Sequence, residues 1–539
     1  SEVYKFYLSH DEKETNLKNI ENVGYRFLHD RVQQAAYSLI ADNQKQATHL
    51  KIGQLLLQKI PAAKQEQKIF DIVNQLNYGV ELITEPAEQE KLATLNLSAG
   101  SKARISNAYN AATEYAIYGI KLLKADCWQS QYQLALELHN LVAEAAYLAG
   151  NFEFMAEFIK KVLDNVENPL DKIKVYEIQI QAYGAQNQPL EAVKLGKEVL
   201  KLLGVELPEN ISNYEIQAQL NQTESLFAER AIEDLINLPV MTDRKALAAM
   251  KILSNITTFV FQAEPNLYAF VPSTQVSLSI KYGNSEQSAF GYIGYGIILS
   301  GLVEDIDSSY RFGQLALDVL SQFDTKEMTS KVINGFDCLI RHWKKHTQET
   351  VQSLWNCYSV GLETGDLEFA GMSLRYYDTH LYFLGRELKT LAAEMASHAQ
   401  AFGQIMQYSL VQHYQIQLQR ALYLLGEVDD VFCLKGEACD EETLLPLIMN
   451  DGFALIEFYF TKLQLSYLFG EYELAQEYVA QVDRYASGGR SFVISRQCNF
   501  YKSLLNLAIF LEVNQDTQKQ LLNQVIDNQE KNFMIYSYK

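Results

Sequence analysis

The amino-acid sequence predicts an all-α protein, a superhelix of helical-hairpin repeats with a small β-hairpin remnant at its N-terminal end. Apolar residues recur at the helical period of about 3.6 residues from His29 to the end of the chain. Only 9 prolines and 27 glycines occur among 539 residues, and no Gly/Ser or charged stretch is long enough for a flexible linker. One long array of repeats therefore explains the length better than several globular domains.

The first 45 residues differ from the rest of the chain. Alternating aromatic and apolar side chains predict two strands, Val3–Leu8 and Tyr25–Leu28, which we expect to pair as a hairpin. The helical period starts with His29–Ile40, whose apolar side chains share one face. We therefore divide the chain into residues 1–45 and a helical repeat array over residues 46–539.

Within the array, Leu134–Leu148 is the clearest helix, because its apolar side chains form one stripe that must pack against a neighbour. Residues that favour helix ends follow at recurring points along the chain: Gly150, Asn187, Gly204, Gly283, Gly365, Gly385, Gly470 and Gly488. This punctuation predicts about twenty helices in antiparallel pairs.

The repeat is visible in the residues that follow each turn. Positions five, nine and twelve residues later carry small or apolar side chains in five copies: Met155, Ile159 and Val162 after Gly150; Ala192, Gly196 and Val199 after Asn187; Ser309, Gly313 and Ala316 after Glu304; Ala370, Leu374 and Tyr377 after Gly365; Ala475, Val479 and Val482 after Gly470. The first two turns lie 37 residues apart, near the tetratricopeptide period of about 34 residues. The array resembles degenerate tetratricopeptide repeats, since Met155 replaces the usual small residue and the turn at Gly385 lacks the pattern.

Four segments carry a resemblance to one family, in the same order as in that family: Tyr25–Ile40, Leu95–Ala103, Gly365–Ala370 and Phe500–Ala508. They resemble a region of long bacterial sensor kinases. Those proteins run from a serine/threonine kinase domain, through an ATPase domain of the AAA/STAND type and a helical repeat region, to a GAF domain and a histidine kinase. The resemblance implies that residues 1–45 end the winged-helix module after the ATPase. It also implies ATP and magnesium as cofactors of the parent protein, with none in this region.

Charge and composition exclude several classes of partner. With 46 basic and 66 acidic side chains the net charge is −20, which opposes binding to nucleic acid or to anionic lipid. The apolar runs Tyr295–Val303 and Leu504–Leu511 fall short of the roughly 20 residues that span a bilayer. Six cysteines are too sparse for a disulfide scaffold, so a cytoplasmic location is expected. The ends at Ser1 and Lys539 suggest a piece cut from a longer protein.

Motifs that suggest chemistry are incomplete. His342 and His346 have a spacing that can hold zinc, but no third ligand follows at a suitable interval. Cys433 and Cys439 are too far apart for a Cys-x-x-Cys site. The glycines in 291–301 have neither a preceding strand nor a following Lys-Ser/Thr, and the kinase signatures are missing. We therefore expect no catalytic, metal-binding or cofactor-binding residues in this chain.

A Tyr-rich helical segment, Arg375–Phe383, is the preferred candidate for ligand or partner binding. Aromatic and arginine side chains are common anchors of recognition surfaces, and here several share one helical face. We expect the following residues to line a concave groove: Arg341, Trp343, Trp355, Arg375, Tyr376, His380 and Phe383. The alternative is that the segment is core between repeats, because 33 tyrosines occur along the whole chain.

Two functions follow from these observations. In the first, the array is a non-catalytic sensor of a multi-domain kinase, which binds a partner protein or small effector and passes that state to the ATPase and kinase domains by intramolecular contact. In the second, it is a rigid spacer between the ATPase and histidine-kinase modules. A hydrolase or transferase is a third possibility, but no nucleophile and base stand at a suitable spacing.

Overall fold

The computed structural model describes residues 34–35, 37–209, 211–323, 325–326, 328–404, 408–426 and 433–533. The protein is 81% helical, and these residues contain no β-strand, which confirms the predicted all-α class. Extended pairing among them is limited to isolated bridges, such as that between Val240 and Asn284. The predicted strands Val3–Leu8 and Tyr25–Leu28 lie outside the described residues, so the N-terminal hairpin stays a prediction.

Contacts divide the chain into two compact units. The first comprises residues 1–100 and 114–135, and the second comprises residues 101–113 and 136–539. The winged-helix boundary predicted after residue 45 falls inside the first described long helix, Asp42–Lys59. That boundary stays a prediction, because residues 1–33 are not described.

The first six α-helices of the described residues all lie in or enter the first unit: α1 (Asp42–Lys59), α2 (Ala62–Gln65), α3 (Ile69–Tyr78), α4 (Pro86–Ile105), α5 (Tyr109–Lys121) and α6 (Cys127–Ser130). Helix α1 packs closely against α3, because Gly53 leaves room for Leu76 where a Cβ atom would lie 2.5 Å from the leucine side chain. The amides of Asn77 and Asn96 exchange two hydrogen bonds of 2.8 and 2.9 Å inside this unit. Both amides are buried, so each supplies the partner that the other requires.

The remaining α-helices are α7 (Tyr132–Leu148), α8 (Phe152–Asn165), α9 (Ile173–Ala185), α10 (Pro189–Leu202), α11 (Asn213–Ser225), α12 (Arg244–Ala263), α13 (Phe270–Tyr282), α14 (Glu286–Ile298), α15 (Ile306–Ser321), α16 (Thr329–Leu339), α17 (Val351–Thr364), α18 (Leu367–Phe383), α19 (Leu388–Gln404), α20 (Tyr408–Leu425), α21 (Glu441–Ile448), α22 (Gly452–Leu468), α23 (Tyr472–Arg484), α24 (Val493–Ala508) and α25 (Gln515–Phe533). Shorter elements link them: the 3₁₀ turns Pro169–Lys172, Ile232–Asn237, Pro265–Leu267, Arg341–Trp343, Thr347–Thr350, Ala486–Gly489 and Phe510–Glu512, and the π-helical turn Leu299–Val303.

The predicted helix ends are confirmed by the backbone. Gly150, Gly365 and Gly470 adopt left-handed conformations, with φ between 73° and 82°, and Asn187 does so at 57°. In the sequence-derived repeat, the side chain five residues after each of the five turns is buried, and those at nine and twelve are buried or half-buried. Sequential helices pack as hairpins, among them α17 with α18, α19 with α20 and α22 with α23. The tetratricopeptide assignment itself stays a prediction.

The glycines of α14 serve close helix packing. A Cβ atom at Gly291 would lie 2.7 Å from Gln275, and one at Gly294 would lie 2.6 Å from Pro272, both on α13. Both approaches are shorter than any ordinary contact. The two helices therefore touch along a seam that larger residues would force apart.

Helix α12, Arg244–Ala263, is the one helix in the described part of the chain that is long and apolar enough to cross a membrane by length and composition. Of its most apolar window, 61% is buried inside the fold. Its apolar surface is therefore largely covered by neighbouring helices.

Segments that are distant along the chain also meet within the second unit. The Ser491 hydroxyl donates a hydrogen bond of 3.3 Å to the carbonyl oxygen of Ile297, which lies 194 residues earlier. The rings of Phe261 and Phe492 contact edge to face at 6.1 Å. An array in which each repeat touches only its neighbours has no such contacts. They bring α12, α18, α22 and the start of α24 around a common cavity.

Candidate functional site

The candidate site is a cavity of about 210 Å³ beside the first half of α18. This helix begins after Gly365, and Asp366 caps it by accepting a hydrogen bond of 3.2 Å from the Phe369 amide. Because residues three or four apart share a helical face, Glu368, Met372 and Arg375 project on one side. All three line the cavity.

The rest of the cavity wall comes from α7, α9, α12, α16, α20, α22 and the residues before α24. Much of it is aromatic: Tyr147, Phe259, Phe261, Phe369, Tyr376, Phe453 and Phe492. Polar side chains are grouped near Arg375 at one end and near Glu368 at the other. An apolar enclosure with few convergent polar groups is the usual form of a small-molecule site.

At the first end, a histidine stands between two carboxylates. His413 Nδ1 lies 3.0 Å from Glu457 Oε2, and His413 Nε2 lies 3.2 Å from Asp451 Oδ2. A neutral imidazole has only one N–H, so two ionised carboxylates require the doubly protonated ring. Burial opposes this charge, but the two carboxylates outweigh burial and raise the pKa of His413. Both nitrogens then donate, and no lone pair is left for general-base chemistry.

The carboxylates of this cluster are well supplied with donors. Burial disfavours their charge, but His413 and Arg375 lower the pKa of both Asp451 and Glu457. Gln417 Nε2 donates to Glu457 Oε1 at 2.6 Å. Asp451 Oδ1 caps α22 by accepting from the amides of its first turn at 3.0 Å. The cluster therefore holds its charges in a fixed arrangement.

Arg375 faces this cluster but keeps spare hydrogen-bond donors. Its side chain is only 2% exposed, and its guanidinium lies 4.7 Å from the ring centre of Tyr376 and 4.6 Å from that of Phe453. Its nearest carboxylate oxygen is that of Glu457, 3.6 Å from Nη2, which is too long for a hydrogen bond. Nε and Nη2 consequently have no acceptor among the described residues. Buried donors without acceptors are rare and call for a reason.

At the other end, a lysine and two carboxylates face the cavity. Lys331 Nζ lies 3.5 Å from Asp366 Oδ2. Glu368 has no ion pair within 4 Å in the described ranges, and its carboxyl group bonds to the Thr258 hydroxyl. Burial, reinforced by the charge of Asp366, raises the pKa of Glu368 to about 7. A cation in the cavity would therefore stabilise the ionised form of this carboxyl group.

The structure brings together only part of the binding group predicted from the sequence. Arg375 and Tyr376 line the cavity. His380 and Phe383 line a neighbouring space of about 10 Å³, which is about the size that one water requires. His380 is buried, and its Nδ1 lies 2.6 Å from the hydroxyl of Thr350. The Tyr-rich segment thus contributes both to the cavity and to packing between helices.

Arg341, Trp343 and Trp355 lie elsewhere. Arg341 pairs with Asp337 at 3.0 Å, and Trp343 is buried, with its indole N–H donating to a backbone carbonyl at 3.0 Å. Trp355 is 40% exposed and packs on Tyr377 at 5.3 Å between ring centres. These three side chains do not line the cavity, so the single groove expected for all seven is not formed. A binding role for each of them individually stays a prediction.

Several side chains of the site were missed in the sequence, including Glu368, Lys331, His413 and Asp451. Glu457 carries the clearest overlooked signal, because it stands alone among apolar residues in Phe453–Phe460. A charged residue in such a run is almost never buried without a partner. The signal marks a buried charge, but not the distant residues that compensate it.

Part of the chain is similar in sequence to a known signalling protein. The chain matches no protein-family model. It is 22% identical over 424 residues to the hybrid signal transduction histidine kinase G of Dictyostelium discoideum, covering 70% of this chain and 12% of that protein. The chain therefore spans only a small part of the length of this relative.

Among solved structures, the chain is similar to a circular tandem repeat protein with novel repeat topology and enhanced subunit contact surfaces. The match has 12% identity, covers 91% of this chain and 98% of that chain, and has a TM-score of 0.15. The TM-score is too low to establish a common fold. The bacterial family and the ATPase module implied by the N-terminal segment stay predictions.

Proposed function

We propose that this chain is the sensor region of a signal-transducing histidine kinase and that it binds a small effector in the cavity beside α18. The observation that carries the proposal is the cavity, whose lining runs from Tyr147 to Phe492 and includes Arg375, with two buried guanidinium nitrogens that have no hydrogen-bond acceptor among the described residues. The similarity to a histidine kinase supplies the context. The parent is a cytoplasmic protein that uses ATP and magnesium in its ATPase and kinase domains.

The cavity favours a sensor over a rigid spacer for an energetic reason. A buried donor without an acceptor costs about 1–3 kcal/mol, and Arg375 has two such donors. A spacer gains nothing from this arrangement and would be more stable with apolar side chains there. A ligand that supplies an acceptor to Arg375 recovers this loss of stability. The free energy of its binding can then shift the protein toward the conformation that binds it.

The position of the cavity also suits transmission. Side chains from α9, α12, α18 and α22 meet there, so an effector contacts helices that are far apart along the chain. A ligand that binds one arrangement of these helices more tightly shifts the population toward it. We infer that this shift is passed to the ATPase and kinase domains by intramolecular contact, without nucleic acid or membrane.

The test is a small-molecule thermal-shift screen of this chain, repeated with two variants that fill the cavity, Met372→Trp and Ala185→Trp. Leu190→Trp, at a 60% exposed site on α10, is the matched control for a large aromatic substitution. Compounds that stabilise the wild type and the control but neither cavity variant support the proposal. Circular dichroism identifies a variant that fails to fold. The absence of any stabilising compound, or stabilisation that both folded variants retain, contradicts it and favours the spacer.

A further inference from the structure

We propose that the ligand of this cavity is a small organic amine whose other end carries a hydrogen-bond-accepting oxygen. The amine pairs with Glu368, and the oxygen accepts from the guanidinium of Arg375. This inference rests on the proposed function and names the chemical class of its effector.

The cationic end follows from the surroundings of Glu368. Its carboxylate faces the cavity without an ion pair within 4 Å, while Lys331, the nearest cation, is engaged by Asp366 at 3.5 Å. An amine in the cavity would supply the missing charge. Nearby aromatic rings, such as Tyr147 and Phe259, offer faces that attract cations.

The accepting end follows from Arg375. Its Nε and Nη2 have no acceptor in the described part of the chain, yet the side chain is 2% exposed and lines the cavity. The adjacent carboxylates of Glu457 and Asp451 already balance the charges of Arg375 and His413. A carbonyl or hydroxyl oxygen satisfies the donors without adding charge.

The charges near Glu368 agree with a cationic group at that end of the ligand. The side chains that line the cavity carry three cationic and three carboxylate groups: Lys331, Arg375 and His413, against Asp366, Glu368 and Asp451. Lys331 and Asp366 balance each other, so the ionised Glu368 leaves one negative charge at its end. A cationic group of the ligand neutralises this charge, whereas an anionic group there adds to it, which is costly in a poorly solvated site.

The helix sets the length of the ligand. Glu368 and Arg375 are seven residues apart, or about 10 Å at a rise of 1.5 Å per residue, and lie on one face. A hydrogen bond of about 3 Å at each end leaves about 5 Å between the nitrogen and the oxygen when the two side chains project in parallel. About three or four methylene groups span this distance.

The experiment is calorimetric titration of the chain with ω-aminoamides that differ in the number of methylene groups. We expect binding to be strongest near 4-aminobutanamide. The neutral N-acetyl derivative should bind at least about tenfold more weakly. Equal binding of the acetylated compound overturns the assignment.

Glu368→Gln tests the cationic end with nearly the same shape. Affinity for the aminoamide should fall at least about tenfold, whereas Glu363→Gln, at an exposed position of α17, should leave it unchanged. Unchanged affinity in Glu368→Gln overturns the proposal. If no aminoamide binds, but the thermal-shift screen finds other compounds that stabilise the wild type and not the cavity-filling variants, the ligand class is wrong and the effector-binding function stands.

Discussion

Replacing Glu368 with glutamine should stabilise the protein without ligand, because the substitution removes a charge that the cavity does not compensate. The pKa of Glu368 is about 7, against an ordinary value of 4.5. Between these values the unfolded chain releases a proton that the folded chain keeps, so stability falls as the pH rises through this window. At pH 8 the whole difference between the two pKa values applies, and the loss of folding free energy is at most about 3 kcal/mol; at pH 6 the loss is about 2 kcal/mol.

This free energy is measurable as a shift in the thermal midpoint. The entropy of unfolding is about 2.1 cal/mol/K per residue, so a cooperative unit of roughly 400 residues shifts by about 1 °C per kcal/mol. We expect Glu368→Gln to melt about 3–4 °C above the wild type at pH 8 and about 2 °C above it at pH 6. Lower pH is unsuitable, because the isoelectric point near 5.0 favours association.

Circular dichroism melts of the wild type, Glu368→Gln and Glu363→Gln at both pH values make this comparison. Glu363 pairs with Lys326 at the surface, so its substitution should change the midpoint by less than about 1 °C. A midpoint of Glu368→Gln at or below that of the wild type at pH 8 would refute the reasoning. It would mean that the folded protein stabilises the ionised carboxylate.

Further predictions concern the backbone, the histidine cluster and the first unit. Gly283→Ala should lower the free energy of unfolding by more than about 3 kcal/mol, because φ is +102° and the new Cβ would lie 2.1 Å from a carbonyl oxygen. Gly204→Ala, where φ is +85° but the surrounding space is open, should lower it by only about 1 kcal/mol in the same denaturation assay. His413→Gln should lower the free energy of unfolding by about 3–5 kcal/mol below pH 6.5. This loss should shrink as the pH rises through the raised pKa of His413, because the wild type there loses the stability that its protonated ring provides. A pH series of thermal midpoints checks this, and a loss that stays constant with pH would contradict it. Asn77→Leu should lose about 1–3 kcal/mol of stability, because the Asn96 amide oxygen loses its donor while the Asn96 nitrogen keeps only its bond to the Leu92 carbonyl. The double leucine variant should recover part of this loss in a double-mutant cycle.

The helices and their ends were predictable because their signals are local. Gly365 and Gly470 end helices in the left-handed conformation that glycine adopts easily, and small residues such as Ala370 follow at a set interval where helices pack closely. These signals need only a few neighbouring residues. Hairpin pairing follows from them, since short connections join antiparallel neighbours.

The cavity was not predictable in the same way, because its groups come from distant helices. The sequence placed Arg375 in a recognition helix, and it does line the cavity. Trp343 was expected beside it, but its ring lies under the guanidinium of Arg496 at 4.4 Å and is buried. Periodicity shows that a side chain points inward, but it does not show whether the inside is packed or hollow.

The long-range contacts around the cavity have a consequence for how the protein is made. Contacts between residues far apart in sequence raise the contact order, and such contacts form late and slowly during folding. Because the cavity wall includes Phe492, a ribosome-bound chain acquires the site only after α22 and α23 have emerged. Proteolytic removal of the chain from α22 onward should abolish the site even if the earlier hairpins stay folded. A completed cavity therefore reports that the second unit is intact as far as Phe492, so an effector held there would protect this part of the unit from degradation.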